Sequence, residues 1–110
     1  MLAEKKYPTH YVLLGQSYLL KGNYRNAIKA YQKALRMDPS RPKVQLFLAN
    51  AWLKRAVNSP DITGRDREKC LEKATAHYNK AEKLSPDSII GEWVRKQLKE
   101  VNDTRAYIKK

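Results

Sequence analysis

Residues 11–18 read Tyr11-Val12-Leu13-Leu14-Gly15-Gln16-Ser17-Tyr18, and they are followed by Ala27-x3-Tyr31, Ala34 and Pro39. This stretch decides the fold, because its parts occur twice. Pro8, Gly15 and Tyr18 return as Pro42, Ala49 and Trp52, all three at one constant offset. Ala27, Tyr31, Ala34 and Pro39 return as Ala74, Tyr78, Ala81 and Pro86, all four at a second, larger offset. The second copy is therefore longer than the first by the difference of the two offsets, and the extra residues lie between its two halves. Self-similarity at such a period marks a chain built from stacked supersecondary units.

The spacing has a physical meaning. Small residues at Gly15, Ala27 and Ala34 let two antiparallel helices approach closely. Leu14, Tyr18 and Tyr31 fill the volume beside them, and Pro39 stands where the second helix must stop.

Tyr11-x2-Leu14-Gly15-x2-Tyr18, then Ala27-x3-Tyr31, then Pro39 resembles the tetratricopeptide repeat, a helix-turn-helix unit. The first copy matches with Tyr11 in place of Trp and Tyr31 in place of Phe. The second departs further, since Gln45 stands at the aromatic position and Ala49 at the Gly. The resemblance covers residues 8–88 and implies an all-α fold of antiparallel helix-turn-helix repeats, an α-solenoid fragment. A single domain over 1–110 is expected: a first repeat at 8–41, a second at 42–88 with the insertion between its helices, and a capping helix at 89–108.

Five helices are expected. The first runs from Pro8, with Thr9 near its cap, to about Lys21, where Gly22-Asn23 breaks it. The second covers Tyr24 to Met37 and ends at Asp38-Pro39-Ser40. The third runs from Pro42 to about Val57 and stops at Asn58-Ser59-Pro60-Asp61. It is apolar nearly all round, which places it against neighbours on several sides. The fourth begins near Asp66 and reaches Leu84, with Glu68 and Glu72 on its exposed side. The inserted residues are read as a tolerant loop plus an extension of this helix. The fifth runs from Ser88 or Ile89 to Tyr107. Its stripe Ile90, Val94, Leu98 and Val101, with Trp93 beside it, suits a helix that covers the end of a stack.

Composition narrows the function. Lys and Arg number 23 against 11 Asp and Glu, a net charge of +12. Residues 5–55 carry eleven Lys and Arg against one acid, Asp38. Such asymmetry suggests an anionic partner. Cys70 is the single cysteine, so no internal disulfide forms, and an intracellular, soluble protein is the expectation. Residues 1–7 hold no apolar segment of the kind a secretory signal needs, so none is expected. Catalysis finds no foothold. His10 and His77 are far apart in sequence, Cys70 and His77 stand two helical turns apart, and no phosphate loop, HExxH or CxxC occurs. No enzyme, metal or cofactor is expected.

The resemblance implies that the first helices of successive repeats line a concave groove. Position by position, Thr9, Val12, Leu13, Gln16 and Leu20 fall there from the first unit. Lys43, Leu46, Phe47, Asn50 and Lys54 fall there from the second. A mostly apolar groove with polar edges suits an extended peptide or an amphipathic helix. The expected function is protein–protein interaction as an adaptor, scaffold or assembly factor, with a protein or peptide partner, acidic if charge guides it. The alternative cover for the groove is the fifth helix or a second copy of the chain. One branch of the family holds a C-terminal carboxylate on Lys, Asn and Arg. The matching positions here are Val12, Gln16, Phe47, Ile90 and Val94, so a carboxylate-clamp chaperone partner is expected to be excluded. Arg25, Lys29, Lys33 and Arg36 form a basic stripe along the second helix, on the convex back. It provides the alternative function, binding of nucleic acid or an anionic membrane surface. Aromatic residues are not expected to interleave with it, since Tyr24 and Tyr31 point into the repeat, and stacking on bases is then unsupported.

Overall fold

The computed structural model describes residues 7–59, 62–85 and 89–108. The residues before Tyr7, the stop expected at Pro60-Asp61, and Pro86 with Ser88 lie outside them. Five helices account for the described chain: α1 Pro8–Leu20, α2 Tyr24–Met37, α3 Pro42–Asn58, α4 Gly64–Leu84 and α5 Ile89–Ile108. No strand occurs among the described residues. The helices assemble into a slab of 58 × 36 × 19 Å.

Local chemistry sets the boundaries. Pro8 is the first residue of α1, preceded by Tyr7 in extended backbone with no side chain capping the helix. The expectation of Thr9 near the cap is corrected. Proline has a pre-set φ and needs no partner for an N–H, so the helix begins at Pro8. Thr9 lies inside the first turn, where its Oγ1 accepts from Arg41 Nη1 at 3.4 Å. At the other end, Gly22 alone adopts left-handed backbone, with φ of 76°. Asn23 caps α2 instead, its side chain accepting from the Asn26 N–H at 3.4 Å. The turn after α2 is built on Asp38. Its carboxylate accepts from the Ser40 N–H at 3.2 Å and the Ser40 hydroxyl at 2.7 Å, and it pairs with Arg41 Nε at 2.9 Å. The Ser40 hydroxyl first, then Arg41, hold the Asp38 carboxyl below its ordinary range.

The short connections fold α1 on α2 and α3 on α4 as hairpins. At the heart of the first hairpin Gly15 faces the Tyr31 ring. A Cβ built on Gly15 would lie 2.6 Å from Tyr31 Cε1, so no other residue type fits without displacement. Tyr31 and its counterpart in the second copy, Tyr78, are both fully buried. The core falls into two clusters. One gathers Ala27, Ile28 and Tyr31 with Leu48 and Ala51. The other gathers Leu53, Cys70, Leu71, Tyr78, Val94 and Val101. Helix α3 touches α2, α4 and α5, which explains its apolar circumference.

The inserted residues are not a free loop. Ile62 packs against the second cluster. Thr63 Oγ1 caps α4 by accepting from the Asp66 N–H at 3.1 Å. The helix then starts at Gly64, ahead of the expected Asp66. Arg67 Nε donates to the Ala56 carbonyl at 3.0 Å, meeting an acceptor at the end of α3. Glu68, expected on an open face, pairs with Arg105 of α5 at 2.8 Å. A tolerant loop is the expectation from sequence, and removing the segment would strip an apolar contact and a helix cap.

Candidate functional site

Between α1 and the start of α3 lies a cleft of about 410 Å³, lined by Thr9, Val12, Ser40, Arg41, Pro42, Lys43, Val44 and Phe47. The α2–α3 turn positions it. Arg41, held by Asp38 at 2.9 Å, reaches back to Thr9 on α1 and forms the polar rim. Phe47 forms the apolar floor, its ring 5.9 Å from that of Tyr31. A second cleft, of about 390 Å³, lies between α3 and α5, where Asn50, Leu53, Lys54 and Val57 meet Trp93, Gln97 and Glu100.

The groove residues expected from sequence fall into four groups. Thr9, Val12, Lys43 and Phe47 come together in the first cleft, and Asn50 and Lys54 in the second. Gln16 is half-buried and Leu20 is exposed, and neither lines either of these two clefts. Leu13 is also exposed and lies outside both. Leu46 belongs to the core, 8% exposed among residues of α3, α4 and α5. Asn50 is partly engaged, since its Oδ1 accepts from the Tyr78 hydroxyl. Arg41, Ser40 and Trp93 are not among the expected groove residues. The Asp38-x-Ser40-Arg41 turn is a signal that points to Arg41, whereas Trp93 needs the position of α5.

The basic stripe is exposed at Arg25, Lys29, Lys33 and Arg36, and none of the four is in a salt bridge among the described residues. One expectation about it is corrected. Aromatic residues do lie beside it, supplied by α1 rather than α2. Lys33 Nζ sits 5.5 Å from the Tyr11 ring centroid, and Lys29 and Lys33 share a shallow notch with Tyr11, Leu14 and Tyr18. Tyr24 is half-buried, its hydroxyl accepting from Asn58 Nδ2 at 3.3 Å.

The groups with chemistry are packed away. Cys70 is 1% exposed, and burial pushes its thiol up. His77 Nδ1 lies 2.7 Å from Gln45 Oε1, a pairing in which the ring N–H donates. Burial first, then Lys80 and Lys73, push His77 down to about 4, so its ring is neutral at pH 7. Gln45 thus occupies the aromatic position of the second copy as the partner of a half-buried imidazole. Among the described residues no cluster of His, Cys, Asp and Glu could hold a metal ion. No helix among them is long and apolar enough to cross a membrane.

Paired helices around small residues, stacked with open clefts between their first helices, define a helical-repeat interaction domain. The sequence model of the family described as tetratricopeptide repeat matches residues 10–41, the hairpin of α1 and α2. That repeat is a non-catalytic protein–protein interaction fold. Among solved structures 14 chains match. One is the first tetratricopeptide-repeat domain of Spaghetti (RPAP3) bound to the HSP90 peptide SRMEEVD. It is 18% identical, with a TM-score of 0.44, over 94% of this chain and 99% of that one. No curated protein matches.

That structure corrects the expectation about partners. The RPAP3 domain holds a chaperone peptide, so a carboxylate-clamp chaperone partner is no longer excluded. The physical reason is that the exclusion rested on residue types at five positions. A carboxylate can be met by other cations, and Lys43 and Lys54 stand exposed beside the two clefts.

Proposed function

We propose that this chain is a protein-interaction module that takes an extended peptide or amphipathic helix along the concave side formed by α1, α3 and α5. The observation that carries the reading is the cleft of Val12, Val44 and Phe47 with Arg41, Lys43 and Thr9 at its edge. Apolar side chains of the ligand would be desolvated on Phe47, while the edge groups fix its main chain or an acidic side chain. The chain would act as an adaptor, scaffold or assembly factor. Peptides selected from a random library on the wild-type chain test this, with SRMEEVD and its C-terminally amidated form as defined arms. Groove binding predicts that selected peptides are lost by Lys43→Glu and by Phe47→Glu while the far-ultraviolet helical signal stays. Peptides bound equally well by Lys43→Glu would remove the groove from consideration. The two SRMEEVD arms ask whether a free carboxylate contributes.

A second reading rests on the stripe of Arg25, Lys29, Lys33 and Arg36, which is in no salt bridge among the described residues. It would bind a polyanion, either nucleic acid or an anionic membrane surface. Phosphate contacts give a steep fall of affinity with salt, which an apolar groove contact does not. A salt titration separates the two.

A further inference from the structure

We infer that the outward face of α1 is a second docking surface, separate from the groove, and that it takes an acidic amphipathic helix of a partner protein. The chain carries its own measure of what that face requires. Helix α3 is the copy of α1 in the second repeat, aligned by Pro8 with Pro42, so Val44, Leu48 and Ala51 correspond to His10, Leu14 and Ser17. In α3 these three are 3%, 1% and 0% exposed. Leu48 and Ala51 belong to the cluster that contains Ile28 and Tyr31 of α2. In α1 the corresponding residues are open to solvent, with Leu14 at 40%. Gly15 is the one fully buried residue of α1, although the helix carries four leucines, a valine and two tyrosines. A helix apolar on most of its circumference is built to be covered on several sides. His10 and Ser17 are polar, and the apolar part of this face is the notch that Tyr11, Leu14 and Tyr18 line together; a contiguous apolar patch of this kind marks an interaction site.

Charge identifies the occupant. The notch beside Leu14 is edged by Lys29 and Lys33, with Lys33 over Tyr11. No Asp or Glu occurs from residue 5 to residue 37, so whatever covers the face meets cations alone. A second copy using the same face would bring Lys29 and Lys33 against themselves, which is unfavourable. A helix with apolar residues spaced as in α2 and acidic residues at its margins satisfies both the Leu14 surface and the two lysines. Oligonucleotide on this face would leave Leu14 without an apolar partner.

The probe is the peptide of residues 24–37 with Arg25, Lys29, Lys33 and Arg36 each replaced by Glu, its helix held by a staple on the polar side. Fluorescence anisotropy on the full chain should show binding of this peptide and none of its unmodified basic parent. Leu14→Glu and Ser17→Glu should each weaken binding about tenfold, the first by losing an apolar contact and the second by setting a carboxylate against the acidic peptide. Ser17 is exposed, so its variant folds even if Leu14→Glu is impaired. Lys43→Glu, on the groove, should bind the peptide as wild type does, which keeps this surface distinct from the groove. Absence of binding, or equal binding by Ser17→Glu, overturns the inference. A dimer in light scattering that Ser17→Glu dissolves would assign the face to a second copy and overturn it as well. So would oligouridylate binding that Lys29→Glu abolishes while the acidic peptide is ignored.

Discussion

At the scale of single residues, the first hairpin turns on one contact. Gly15 has no Cβ, and the Tyr31 ring occupies the place where one would be, with atoms at 2.6, 2.8 and 2.9 Å from it. The ring cannot retreat, because Tyr31 is fully buried in the cluster with Ala27 and Leu48. Gly15→Leu should therefore lower the unfolding free energy by about 1–3 kcal/mol, as overpacking does. Urea titration followed by circular dichroism measures it, and an unchanged midpoint would mean that the helices part more easily than these distances imply. The second copy solves the same problem differently. Ala49 takes the glycine position at 0% exposure, and the Tyr78 hydroxyl finds an acceptor on Asn50. The Tyr31 hydroxyl has no partner among the described residues, and burial pushes its ionisation up to about 12.

At the scale of elements, the hairpin of α3 and α4 carries a titratable lock. His77 on α4 is held neutral by burial and paired with Gln45 on α3 at 2.7 Å. Its folded-state value of about 4 lies below the ordinary 6.5 that the unfolded chain restores. The sign follows from linkage: the unfolded chain binds the proton first, so stability falls as pH drops from about 6.5 to about 4 and then levels. Urea midpoints measured across that window should decline in the wild-type chain and decline less in His77→Gln. Equal slopes would show that carboxylates alone carry the acid sensitivity. The start of α4 is tied just as locally, with Arg67 on the last turn of α3 and Glu68 on Arg105. These bonds turn the insertion from a spacer into part of the body.

At the scale of the whole molecule, the two ends of the stack differ. Helix α5 closes one end. Val94 and Val101 are fully buried against the cluster that contains Leu71 and Tyr78. At the other end α1 leaves Leu14 open. Ending the chain at Ser85 should therefore uncover core rather than surface. The shortened protein should melt lower, bind a hydrophobic dye, and expose Cys70, which is 1% accessible in the full chain, to thiol reagents. Unchanged thiol reactivity and melting would show that α5 is an appendage and not a cover.

The helices, their order and the hairpin contacts are legible in the residues alone. Gly15 with Tyr31, the buried tyrosine pair and the extents of α2 and α5 all follow from small residues, prolines and a repeated spacing, which are local and periodic signals. Of the residues expected along a concave groove, Val12, Lys43 and Phe47 line one cleft between α1 and α3. Which surfaces remain open is set by how the helices pack. Leu14 and Leu48 have the same residue type in the same repeat position, yet one is exposed and the other buried. The difference is the helix that stands beside them. Leu46 went to the core and Ile62 joined it for the same reason. Burial is a property of pairs of elements, and residue type and spacing within one helix do not record which partner that helix will meet.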